Sequence, residues 1–231
     1  MTNKLQIVLT SYIRPKYLIP TVESLRQDDI ELYITDGGSD EETIKFIKEN
    51  SDGYLLFQGN PGADTLKSEG IKKFITNKEF LLTSDDLVYP KGYSELILEN
   101  YEKINKDGLK WDYCACSFDH YLKRFNEKYQ NINGVEIMPV ATCQVAGAII
   151  NLKLCKSVGY FPTYGRSGMG DWSYSKRMRE LGIKMGYWKN VIIDHIGASK
   201  KADYPEYTKE MVQDASKYKE IAKKDLEKRK G

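Results

Sequence analysis

Short apolar runs alternate, along the first half of the chain, with segments whose apolar positions recur at helical spacing. Leu5 to Thr10 is such a run and predicts a buried strand. Pro15 opens a helical stretch to Arg26, because proline is preset for a first helical turn, and Pro20 disturbs its early part. Glu31 to Thr35 predicts a second strand, ended by Asp36-Gly37-Gly38-Ser39-Asp40. Asp40 is placed to cap a helix reaching about Glu49, and Glu42 suits its positive end. Gly53 to Phe57 predicts a third strand, Asn60-Pro61-Gly62 a turn, and Asp64 to Ile75 a helix. Phe80 to Thr83 reads as the fourth strand, and Pro90 begins a helix to about Asn105. This alternation predicts a mostly parallel α/β sheet with helices on both faces.

The second half is less regular. Asp112 to Phe118 alternates as a strand does, and Tyr121 to Pro139 reads as an insertion or hairpin. Ala146 to Ile150 predicts a strand and Leu152 to Val158 a short helix. After the glycine-rich stretch Gly165 to Gly170, Asp171 starts a helix that Gly182 ends. Lys184 to Ile193 supplies one or two strands leading into Asp194-His195. From about Tyr204 a charged helix is expected, with Tyr207, Met211, Ala215, Tyr218 and Ala222 at helical spacing.

Composition narrows the class. Of 231 residues, 41% are hydrophobic and 29% charged, as in ordinary globular domains. A formal net charge of +2 gives no strong field to favour nucleic acid or a membrane, so no nucleic-acid partner is expected. The 17 tyrosines suit sugar or base stacking, and equally suit plain packing. Cys114, Cys116, Cys143 and Cys155 contain no C-x-x-C pair, and two histidines are too few to complete a zinc site with them. Cys114 and Cys116 share one face of a strand and read as small buried hydrophobes. The apolar run Leu5 to Leu9 is too short for a signal core or a membrane span, and the chain is read as cytoplasmic.

Candidate chemistry gathers where strands end. In an open parallel sheet, ligands bind beyond the carboxyl ends of the strands. Asp85 and Asp86 follow the run Phe80-Leu81-Leu82, and two adjacent carboxylates after a buried strand need a cation or hydrogen-bond donors. A hard divalent metal shared with a substrate phosphate meets that need, and so would capping of the next helix. Thr10 and Tyr12 are placed to hold or stack a base, Asp36 to meet a base or ribose, and Lys67 to meet a phosphate. The plainer alternatives are a turn residue at Asp36 and a solvated helix lysine at Lys67.

In order and spacing these segments resemble family 2 glycosyltransferases of the GT-A fold. Ile7 to Pro15 resembles their first strand and T-x-x-N-R loop, and Thr35 to Asp40 resembles their D-D-G-S-x-D turn. Asn60-Pro61-Gly62 with Lys67-Ser68-Glu69-Gly70 resembles their glycine turn and A-R-N-x-G helix. Ser84-Asp85-Asp86 stands at their D-x-D metal motif. Gly147-Ala148-Ile149 and Val158-Gly159-Tyr160-Phe161 resemble their acceptor-side strand and G-x-F. Gly170-Asp171-Trp172, with Arg179 and Leu181-Gly182, resembles the E-D-x-D-L…G motif that carries the base. The departures are Ile13 for asparagine, Thr35 and Ser84 for acids, Lys67 for arginine, and Gly170 for glutamate.

The resemblance implies one catalytic domain over 1–200, with a nucleotide-binding half at 1–110 and an acceptor-binding half at 111–200, followed by a helix at 203–231. It implies transfer of a sugar from a nucleotide-diphosphate donor, uridine being the base by analogy, to an acceptor hydroxyl on a glycan, with inversion. Asp171 would be the catalytic base. Thr10, Tyr12, Arg14, Asp36, Lys67 and Asp85 would bind the donor. Asp86 would hold Mn²⁺ or Mg²⁺, with His195 as second ligand or as a backbone-bonded histidine, and Asp194 as an alternative metal contact. Trp172 and Tyr164 are candidates to stack on acceptor sugars. A retaining transferase and an inactive nucleotide-sugar or carbohydrate-binding module are the alternative functions. Lys223, Lys224, Lys228, Arg229 and Lys230 give the last helix a basic end; packing on its own domain is favoured over membrane contact.

Overall fold

The computed structural model describes residues 4–119, 122–123, 128–161 and 170–197. The expected helix at 203–231, Tyr164 and most of the glycine-rich stretch 165–170 lie outside the described residues.

Strand β1 (Leu5–Ser11) is buried along its whole length, as a run with no polar alternation requires. Parallel to it lie β2 (Ile30–Asp36) on one side and β4 (Glu79–Ser84) on the other. The edge strand β3 (Gly53–Leu56) pairs with β2, also in parallel. Strands β6 (Tyr113–Phe118) and β9 (Ala148–Asn151) continue the sheet beyond β4 in the order β4-β9-β6, and β9 is antiparallel to both neighbours. Two antiparallel steps restore direction, so β6 and its parallel partner β10 (Met185–His195) point the same way as β1 and β4. The hairpin of β7 (Gln130–Ile132) and β8 (Val135–Pro139) closes the far edge against β10. The carboxyl ends of β1, β2, β4 and β10 therefore share one rim.

Helices cover both faces. Leu5, Ile7 and Leu9 of β1 pack with α1 (Pro15–Leu25), α2 (Glu41–Asn50) and α4 (Tyr93–Asn105). Val8 faces the other way, toward α3 (Ala63–Phe74), α5 (Leu152–Val158) and α6 (Gly170–Glu180). Asp40 caps α2 by accepting from the Thr43 amide at 2.8 Å. All four cysteines are buried and free. A Cβ at Gly70 would meet Thr35 Cγ2 and Val8 Cγ1 at 2.7 Å, so the glycine lets α3 lie close on the sheet and carries Lys67 to the rim. Among the described residues no helix is long and apolar enough to cross a membrane.

The start of one helix differs from the sequence expectation. The helix expected from Pro90 begins at Tyr93, because Gly92 takes a left-handed φ of 80°. Its cap is remote: Asp28 accepts from the Gly92 amide at 2.8 Å and the Ser94 amide at 2.9 Å. Ahead of it, β5 (Leu87–Val88) pairs antiparallel with Asp194 and His195, which brings the tip of β10 beside the Asp85-Asp86 turn. The expected one or two strands from 184 to 193 are a single strand with a register shift between Trp188 and Ile192.

Candidate active site

Both members of the tandem pair are buried, Asp85 at 1% exposure and Asp86 at 7%. Charge taken out of water at that depth must be compensated in place. Arg14, from the turn between β1 and α1, does so. Its Nη2 pairs with Asp85 Oδ1 and its Nε donates to Asp85 Oδ2 at 3.2 Å, while Nη1 reaches Asp86 Oδ2 at 3.1 Å. The Tyr12 amide donates to Asp85 Oδ2 at 3.4 Å. On Asp86, Oδ1 accepts from Ser84 Oγ at 2.6 Å and Oδ2 lies 3.2 Å from His195 Nε2. Burial pushes the Asp85 carboxyl up to about 6, against the pull of Arg14. Burial acts upward on Asp86 too, but the His195 hydrogen bond, Arg14 and Ser84 outweigh it and hold that carboxyl at about 2.

The loop that delivers Arg14 is strained. Ile13 has a φ of +44°, where a β-branched residue clashes with its own backbone, and its amide donates to Ser39 Oγ at 3.0 Å. Asparagine tolerates this region. Ile13→Asn should therefore stabilise the fold by about 1 kcal/mol in chemical denaturation. An unchanged or lower midpoint would show that the ring of contacts around this loop, not its backbone angle, sets its cost.

A cavity opens between the ends of β1 and β4 and the starts of α3 and α6, with Thr10, Tyr12, Arg14, Lys67, Asp85 and Asp171 on its walls. Asp171 lies in the first turn of α6 with its side chain 36% exposed, and Lys67 Nζ stands 3.7 Å from its Oδ1. Among the described residues the Asp171 carboxylate accepts no hydrogen bond from its own helix, so it is not spent as a cap. Of the two tandem acids, Asp85 faces this cavity. Asp86 does not line it, and its partner His195, stacked on Phe118 at 5.3 Å, borders a separate groove with Ile192 and Asp194.

The other candidates fall as follows. Thr10 Oγ1 donates to the Thr83 carbonyl at 3.4 Å between β1 and β4. Asp36 is fully buried and its carboxylate serves its own turn: Oδ1 accepts from the amides of Gly38 (2.9 Å) and Ser39 (2.7 Å), and Oδ2 from Ser39 Oγ (2.7 Å). Asp194 is exposed on β10, and Trp172 is 38% exposed beside Asp171.

The expected metal position, Asp86 with His195, has suitable donors, a hard carboxylate and an imidazole. As arranged, however, these residues do not fit a divalent cation. Every oxygen of Asp85 and Asp86 is engaged, and the guanidinium of Arg14 already spans both carboxylates. Among the described residues no group of three His, Cys, Asp or Glu side chains is placed to hold a metal.

Sequence reasoning missed Asp64, in the first turn of α3. It is 1% exposed and holds Lys67 Nζ at 3.2 Å. An acid in a first helical turn reads as a partner of the helix dipole, and nothing local marks it otherwise.

Comparison with known proteins bears on the family and the fold. The model of the family described as glycosyl transferase family 2 matches residues 6–155. No curated protein sequence matches the chain. Among solved structures, GalNAc-T7 with UDP, GalNAc and Mn²⁺ superposes with a TM-score of 0.65 at 11% identity, over 83% of this chain and 43% of that one. S. aureus TarS 1–349 with UDP-GlcNAc gives a TM-score of 0.60 at 14% identity, over 92% and 66%. The longer S. aureus TarS structure gives 0.58 at 16% identity, over 82% and 36%. The chain thus spans between about a third and two thirds of the length of these structures. At such identities the likeness is one of fold, a nucleotide-sugar transferase fold of the GT-A type.

Proposed function

The chain belongs to glycosyl transferase family 2, and on that premise we propose that it moves a sugar from a UDP-sugar to a hydroxyl group of a glycan, with inversion at the anomeric carbon. What supports this reading above all is the meeting of unlike groups in one cavity, the Arg14–Asp85 pair and Lys67 with the Asp171 carboxylate. UDP in the structures of GalNAc-T7 and TarS favours uridine as the donor base.

The proposed step is a single displacement. The acceptor O–H gives its proton to the Asp171 carboxylate as the oxygen attacks the anomeric carbon. The bond from that carbon to the diphosphate breaks, and its electron pair leaves on UDP. The departing phosphates would compete with Asp86 for Arg14 and with Asp171 for Lys67, and in a recessed site charge so recruited acts at low dielectric. Tyr12 and Thr10 are proposed for the uridine end, and Asp85 for the ribose or sugar. Asp36 would act there through the turn it braces. The donor is assigned to 1–110 and the acceptor to 111–200.

A second reading has one observation in its favour, the 3.2 Å approach of Asp86 Oδ2 to His195 Nε2. Were Arg14 to withdraw, that pair could accept Mn²⁺ or Mg²⁺. Calorimetry with UDP separates the two. If Arg14 supplies the cation, the Kd in EDTA should lie within about threefold of that in Mn²⁺, whereas tightening by more than about tenfold would establish the metal reading.

A further inference from the structure

Gly170 opens α6 directly before Asp171, and it is buried. It stands as the first residue of a helix, a conformation that does not require glycine. What a side chain there would contend with is space. A Cβ at this position would overlap the carboxylate of Asp64, whose Oδ1, Cγ and Oδ2 are the nearest atoms to it. Asp64 thus reaches across from α3 and fills the volume that a side chain at 170 would occupy.

Asp64 also sets a charge in place. Its Oδ1 holds Lys67 Nζ at 3.2 Å, one helical turn along α3, and the same ammonium stands 3.7 Å from Asp171 Oδ1. Its Oδ2 is buried with no hydrogen-bond partner among the described residues. Burial, and the nearby Asp171 carboxylate, push the carboxyl up, opposed by Lys67 and by the Gly170 amide. Such a group is costly, and a mere filler of that volume would be apolar.

We propose that Asp64 is a positioning residue for transfer: from α3 it seats the first turn of α6 and anchors Lys67, and so fixes the carboxylate of Asp171 toward the acceptor hydroxyl. The proposal rests on Asp171 being the base. It also implies that positions 64 and 170 form one unit, in which a single carboxylate fits and two do not.

Four proteins test this: Asp64→Ser, Asp64→Asn, Gly170→Glu, and the exchange Asp64→Ser with Gly170→Glu. UDP affinity and the melting temperature report the fold, while kcat and the acceptor KM report positioning. Asp64→Ser and the isosteric Asp64→Asn should each lower kcat by about ten- to a hundredfold, with UDP affinity, to which the anchored Lys67 contributes, falling by a smaller factor than kcat. Gly170→Glu alone should lose both activity and stability by overlap. The exchange should recover most of the kcat lost in Asp64→Ser, because a carboxylate returns to the same volume from the other helix. Wild-type kcat in Asp64→Ser or Asp64→Asn, or an exchange no better than Gly170→Glu alone, would overturn the proposal. If Asp171→Asn turns over normally, the base assignment fails instead, whatever Asp64 does.

Discussion

Asp171→Asn is expected to lower kcat for sugar transfer by about 10²–10⁴-fold, the contribution of a well-placed general base. The amide keeps the shape of the side chain and removes only its capacity to take a proton. UDP affinity should stay within about threefold, since the proton transfer belongs to the transition state and not to donor binding. The geometry makes this a sharp test. Asp171 is partly exposed at the cavity mouth, and its ion-pair partner Lys67 keeps the Asp64 carboxylate at 3.2 Å, so loss of the Asp171 charge leaves no buried charge stranded. A large fall in stability is therefore not expected, and an inactive variant with normal melting and normal UDP binding isolates the chemical role. Turnover close to wild type would remove Asp171 as the base.

Arg14→Met should have the largest effect on stability. The variant keeps much of the stem volume and deletes the cation that spans Asp85 and Asp86, whose side chains are 1% and 9% exposed. Removing one partner from a buried ionic group costs about 3–5 kcal/mol, because the remaining charge has neither water nor a counter-ion. For a chain of this size that is a fall of about 6–20 °C in melting temperature. Arg14→Lys should rescue little, since one ammonium cannot copy a planar fork bonded to two carboxylates. Adding Asp85→Asn and Asp86→Asn to Arg14→Met should return much of the loss. Thermal melts of the three proteins decide this. A single Arg14→Met variant as stable as wild type would mean that the carboxylates are not held by the guanidinium.

Features fixed by near neighbours in the sequence were readable from it. The Leu5 to Thr10 run announced a strand buried on both faces, Asp40 three positions before Thr43 announced a cap, and Gly182 ends α6 with a φ of +71°. Features fixed by distant partners were not. The start of α4 depends on Asp28, from the end of the α1 segment, and the antiparallel entry of β9 between β4 and β6 depends on the whole sheet. Adjacent residues after a strand face different ways, so no local pattern told which tandem acid meets the cavity; Asp85 does, and Asp86 turns to His195. At Asp36 the turn reading and the ligand reading were both open, and the carboxylate is committed to its turn. Asp64 escaped notice because its meaning lies in the missing side chain of a glycine on another helix.

The most direct measurement is a crystal structure of the Asp171→Asn variant with an intact UDP-sugar. The diphosphate should lie in the cavity at the ends of β1 and β4, within hydrogen-bond reach of Arg14 or Lys67, with the anomeric carbon open toward residue 171. A nucleotide seated instead in the groove of Phe118, Ile192 and His195, or a sugar turned away from residue 171, would contradict it.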